Sequence, residues 1–177
     1  MSNRAQSMSR RMEHIANVAM LKSLRLLDTA SEECFDEVVH VATALFEVPT
    51  ALISLLDLER QWFKAKVGMA ADETTLNVSF CRHAVETPDV MVVPDATADA
   101  RFRDNPLVTA EGGIRFYAGA PLAVGPRRLR IGTLCLIDAA PRERFPLADV
   151  NLLRGLALIA SELIEGRVAK AETAAMA

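Results

Sequence analysis

The chain has 177 residues, 51% of them apolar, and a formal net charge of −3. That length suits one domain with helical extensions and a full core, and the absence of a basic surplus argues against nucleic acid or an anionic membrane as partner. Its three cysteines, Cys34, Cys81 and Cys135, are far apart and form no CxxC pair, so spacing suggests neither a disulfide framework nor a zinc clip; a reducing, cytoplasmic setting is expected.

Residues 1–10 are polar and read as a disordered tail. Arginine, lysine and glutamate interrupt the N-terminal segment, so it lacks the apolar run of a signal peptide, and no window is apolar enough to span a bilayer. Met12, Ile15 and Ala19 at spacings of three and four predict a helix over residues 11–28. Thr29 and Glu32 have the spacing of a capping box, predicting a second helix that opens at Thr29 and stops before Pro49. Phe35, Val38, Val39, Ala42, Leu45 and Phe46 would be its apolar face.

Residues 50–57 are apolar on both alternating faces, as in a central strand, with Ala51, Ile53 and Leu55 on one side and Leu52 and Leu56 on the other. Residues 61–67 set Phe63, Ala65 and Val67 against Trp62, Lys64 and Lys66, the pattern of a protected edge strand with a lysine face. An irregular stretch follows over residues 68–105, with a short helix at 79–86, a short strand at 90–93 and a helical turn at 104–108. Strands over 114–124 and 129–138 form a hairpin across Gly125-Pro126. The last helix starts near Pro146 and carries two apolar stripes, Leu152, Leu156, Ile159 and Leu163 beside Val150, Leu153, Ala157, Ala160 and Ile164. Two stripes exceed what docking on one sheet requires, so a homodimer through the terminal helices is expected. Residues 169–177 would fray.

This order predicts an α+β fold: a central antiparallel sheet of five to six strands, end helices on one face and the irregular segment on the other. The stretches LLDTASEECFDEVVHVATALFEVPTALISLLD, RQWFKAKVG, SFCRHAV, VVPDATADARFRDNPLV, IRFYAGAPL and GTLCLID, in this order, resemble a GAF domain of bacterial two-component and cyclic-di-GMP signalling proteins. The resemblance covers Leu26 to about Ile164, and the domain is expected over residues 29–168. It implies a PAS-like sheet whose irregular segment encloses a small-molecule pocket, and an output carried by a separate partner such as a kinase or cyclase, or by a part of the gene product outside this sequence.

The candidate pocket comprises Phe80, Cys81, His83, Asp95, Arg101, Phe102, Asn105, Phe116, Tyr117 and Ala118. Cys81 and His83 could bind metal, sense redox state or carry a bilin, or simply be a buried thiol and an imidazole beside the pocket. The aspartates and Asn105 suit local turn caps, whereas Arg101 or Arg103 could meet an anionic group. In the run Phe116-Tyr117-Ala118-Gly119-Ala120, one aromatic packs in the core and the other roofs a cavity, or the small residues merely admit tight packing. Trp62 stacks on a ligand or is a strand aromatic. Cys34 and Cys135 are not evidently placed to resolve Cys81.

No phosphate-cradling loop, nucleophile elbow or HExxH is present, so the chain is expected not to be an enzyme; no cofactor is named. The expected function is a sensory module that binds an unidentified small molecule or signals through its terminal helices. The alternatives are a non-sensing scaffold and, by resemblance to branches of the same fold, a free methionine sulfoxide reductase or a bilin photoreceptor.

Overall fold

A computed structural model describes residues 2–175, with side chains for residue 8 and residues 12–168. Helices α1 (Ser2–Ser23) and α2 (Glu33–Phe46) lead into strands β1 (Thr50–Leu56), β2 (Arg60–Val67) and β3 (Glu73–Thr75). After a 3-10 turn at Leu76–Val78 come α3 (Cys81–Ala84), β4 (Met91–Val93) and α4 (Pro106–Thr109), then β5 (Phe116–Val124), β6 (Leu129–Asp138) and α5 (Leu147–Ala175). The six strands form one sheet, every neighbouring pair antiparallel, in the order β3-β2-β1-β6-β5-β4. The α+β architecture read from the sequence is therefore the observed one.

The sheet separates two apolar layers. On the inner side, α2, α5 and the end of α1 pack on Ala51, Ile53 and Leu55 of β1, on Phe116, Ala118 and Leu122 of β5, and on Leu134 and Leu136 of β6. On the outer side, α3, α4 and their connections cover Leu52, Leu56, Tyr117 and Cys135. Central β1 is buried along its whole length, as expected of a strand covered on both faces.

Four local expectations are corrected. Helix α1 takes in residues 2–10, which the sequence assigned to a tail, and ends at Ser23; good helix formers extend a helix once its packed turns exist. Arg25 turns left-handed at φ 51°, ending the helix and letting both Leu24 and Leu26 reach the core. Thr29 and Glu32 make no capping box: α2 begins after Glu32, whose side chain caps nothing. Its carboxylate instead pairs with Lys64 and Arg167, the stronger partners. Leu45 is 52% exposed, leaving Phe35, Val38, Val39, Ala42 and Phe46 as the buried face of α2. The expected fray at residues 169–177 falls within α5 as far as Ala175; residues 1, 176 and 177 lie outside the described residues.

Strand β2 holds the fourth correction. Ile53 pairs with Ala65 and Ser54 with Phe63, so Lys64 is the extra residue of a β-bulge. The bulge resets the alternation: Trp62 and Ala65 both face the inner layer, and Phe63 alone joins the outer one. The lysine face is not a solvent face. Lys64 is buried, with Nζ donating to Thr29 Oγ1 at 2.9 Å, Ala30 O at 2.7 Å and Glu32 Oε1 at 2.6 Å, 5.3 Å from the Phe35 ring centre. The sheet edge is β3 rather than β2.

Candidate functional site

The outer face of the sheet presents a small polar centre inside an apolar layer. Ser54 of β1 pairs across the ladder with Thr133 of β6, and Cys135 follows two residues on, on the same face. Tyr117 of β5 lies opposite Ile137 and leans over Gly119; a Cβ at Gly119 would run into its phenol oxygen. Cys81, at the start of α3, completes the group. Its Sγ lies 3.7 Å from Cys135 Sγ and accepts the Tyr117 hydroxyl at 3.3 Å. Cys81 is 2% exposed, and Ser54, Tyr117, Thr133 and Cys135 are fully buried.

Among the described residues, Ser54 Oγ and Thr133 Oγ1 have no hydrogen-bond partner. A buried hydroxyl without a partner costs about 1–3 kcal/mol, yet two stand beside one sulfur. A thiolate on Cys81 gives them an acceptor. Burial opposes that charge, but the converging donors Cys135, Thr133, Tyr117 and Ser54 outweigh it and bring the Cys81 thiol down to about 6. The bond to Cys81, with burial and the neighbouring charge, pushes the Cys135 thiol up. Burial, then the two sulfurs, pushes the Tyr117 phenol up. One sulfur is thus set to carry charge while its neighbours keep their protons.

An aromatic stack closes this centre. Phe80 stacks on Phe102 at 4.0 Å with a 12° interplanar angle and meets Tyr117 at 5.2 Å. His83 meets Phe102 edge-on at 5.0 Å, and burial holds its imidazole below the ordinary value. Arg101 lies over the Phe102 ring at 4.9 Å and is bound to Asp99 at 2.6 and 3.0 Å.

The ten sequence candidates therefore divide. Phe80, Cys81, Phe102 and Tyr117 meet in the outer layer, with His83 and Arg101 against its rim. Phe116 and Ala118 face the inner layer, which removes them from the expected pocket: alternation sends Tyr117 to one face and its neighbours to the other. Asp95 accepts from Thr97 N at 2.9 Å and shapes a turn. Asn105 caps α4, accepting from Leu107 N at 2.9 Å, and ties it to Val78 O at 3.0 Å. Trp62 belongs to the inner layer. Cys135, read from the sequence as not placed to resolve Cys81, is corrected: β6 turns it to the outer face, where its sulfur meets that of Cys81. Ser54 and Thr133 were missed. Counting Cys135 and Thr133 as one face of β6 was within reach of the sequence; which sulfur sits over that face was not. Among the described residues no group of three or more His, Cys, Asp or Glu could hold a metal ion, and no helix is long and apolar enough to cross a membrane.

An open cleft of about 690 Å³ lies on the other side of the sheet, lined by residues that include Asp28, Thr29, Asp36, His40 and Lys64. The space expected over Tyr117 is filled by Phe80 and Phe102 instead.

Residues 31–164, which hold the whole six-stranded sheet and most of the helices packed on it, match the GAF domain family model. This chain is a GAF domain. By fold, it is similar to the GAF domain from Acinetobacter phosphoenolpyruvate-protein phosphotransferase, with a TM-score of 0.63, 20% identity and coverage of 98% of this chain and 97% of that one. It is also similar to free methionine-R-sulfoxide reductase from Neisseria meningitidis, with a TM-score of 0.61, 19% identity and coverage of 77% and 78%. In sequence it is 46% identical over 139 residues to the cyclic di-GMP phosphodiesterase PA2567 of Pseudomonas aeruginosa, a match that takes in 78% of this chain. That finding corrects the expectation that the chain is not an enzyme, because the relative is named as one. A catalytic motif marks only groups within the chain, whereas the link to an enzyme runs through similarity of the domain itself. The chain spans 24% of that relative's length.

Proposed function

We propose that this GAF domain is a regulatory module of cyclic di-GMP signalling that sets the activity of a phosphodiesterase output through its terminal helices. The observation that carries the reading is the 46% identity over 139 residues to a cyclic di-GMP phosphodiesterase. Residues 29–168 are the unit that would act in this way.

Two arginines support a route from the outer layer to the helices, and a third ties β2 to α5. Arg130 of β6 donates to Thr87 O at 2.9 Å, just beyond α3, and pairs with Glu13 of α1. Arg154 of α5 grips both carboxylate oxygens of Asp89 at 2.6 and 2.9 Å. Arg167 of α5 holds Glu32 at 2.8 Å, and Glu32 holds the bulged Lys64. A displacement of α3 is thereby felt at both terminal helices. In a chimera of the Pseudomonas enzyme carrying this domain in the matching stretch, cyclic di-GMP hydrolysis is expected to persist. Arg130→Ala or Arg154→Ala should change its rate by up to about 5-fold, the most that an ion pair exposed to water transmits. A rate unchanged by both substitutions would refute the route.

A scaffold that senses nothing is the second reading, favoured by the filled outer layer. Met12 and Ile15 on α1, and Leu152 and Ile159 on α5, are 63%, 50%, 41% and 52% exposed, and a homodimer would cover them. Light scattering tests the dimer. A small-molecule ligand would have to part the Phe80–Phe102 stack, and a thermal-shift screen with nucleotides, amino acids, aromatic acids and tetrapyrroles tests that.

A further inference from the structure

We propose that Cys81 and Cys135 form a reversible dithiol–disulfide pair, in which a hydroperoxide oxidises Cys81 and Cys135 resolves it. The two sulfurs are 3.7 Å apart although 54 residues separate them in sequence. A disulfide requires about 2.05 Å, a closure within reach of side-chain rotation and a small shift of α3. Cys81 is the sulfur equipped to attack. Tyr117 donates to it, and the two unpartnered hydroxyls of Ser54 and Thr133 stand beside it, so a thiolate there meets donors on several sides. Helix α3 is four residues long, and local opening of so short an element admits a small peroxide.

The thiolate of Cys81 attacks the terminal oxygen of the hydroperoxide. The O–O bond breaks, the leaving oxygen takes up the proton that Cys81 gave up, and an alcohol (water, from hydrogen peroxide) departs. Cys81 is now a sulfenic acid. Cys135 attacks its sulfur; the S–S bond forms, the S–O bond breaks, and water leaves with the Cys135 proton. Two thiols have lost two electrons and the peroxide has gained them. A small dithiol reverses the step by exchange. This chemistry does not depend on which output the domain regulates.

Cys34, exposed on α2, is an internal control. The whole chain is treated with hydrogen peroxide, denatured, alkylated and digested. The expected result is a peptide pair joined through Cys81 and Cys135, neither of them alkylated, with both alkylated again after dithiothreitol. A folded Cys135→Ala variant should accumulate a sulfenic acid at Cys81, trapped by dimedone; should that variant not fold, the wild-type map decides alone. Full alkylation of Cys81 and Cys135 once Cys34 has been oxidised would overturn the proposal, as would a disulfide joining either of them to Cys34.

Discussion

Removing the carboxylate of Glu32 tests how the bulge, the linker and the last helix are held together. The Lys64 side chain is 0% exposed and that of Glu32 32%. Glu32→Ala leaves a buried ammonium with only Thr29 Oγ1 and Ala30 O, and frees Arg167 from its carboxylate. Breaking a buried pair costs about 3–5 kcal/mol and an exposed one at most about 1 kcal/mol, so a carboxylate that water reaches in part should cost about 2–3 kcal/mol. For a chain of this size that lowers the thermal midpoint by about 4–12 °C. Calorimetry or circular dichroism reads the shift. Adding Lys64→Met removes the stranded charge while keeping its methylenes packed, and should recover at least about 1 kcal/mol relative to additivity. The pH dependence has a definite sign. Burial raises the Glu32 pKa, but bonds from Lys64 and Arg167 outweigh it and hold the carboxyl below its ordinary 4.5. Its contribution is therefore complete above 4.5 and lost as pH falls through the lower folded value, so the gap between wild type and Glu32→Ala should narrow in that acid range. A midpoint shift below about 1 °C, or strict additivity in the double variant, would refute the reasoning.

Gly119→Ala drives a Cβ into the Tyr117 phenol, and urea denaturation should show a loss of about 1–3 kcal/mol. Arg142 donates to Phe46 O at 2.8 Å and Glu47 O at 2.7 Å, closing the end of α2, and lies 5.0 Å from the Phe116 ring centre. Arg142→Ala should cost about 1–2 kcal/mol and speed hydrogen exchange in the last turn of α2. Phe35, fully buried, and Leu45, 52% exposed, were read as one face. Phe35→Ala should cost about 3–5 kcal/mol in chemical denaturation and Leu45→Ala about 0.5 kcal/mol or less.

Legible in the sequence were the order of the elements apart from β3, the central position of β1, the β5–β6 hairpin and the α+β class. These follow from hydrophobic period and from turn residues, which act over a few neighbours. Which face each strand residue takes around the bulge is settled by long-range packing. One extra residue at Lys64 reverses the alternation without leaving a mark on composition, and the lysine is buried because partners 32 to 35 residues away satisfy it. The same holds for the outer-layer site. That Tyr117 alternates away from Phe116 was legible; that Tyr117, Phe80 and Phe102 fill the expected hollow was not. Nor was the meeting of Cys81 with Cys135, because a contact across 54 residues is set by how α3 docks on the sheet. Local physics fixes the period of each segment, whereas long-range contacts are chosen by the whole core at once.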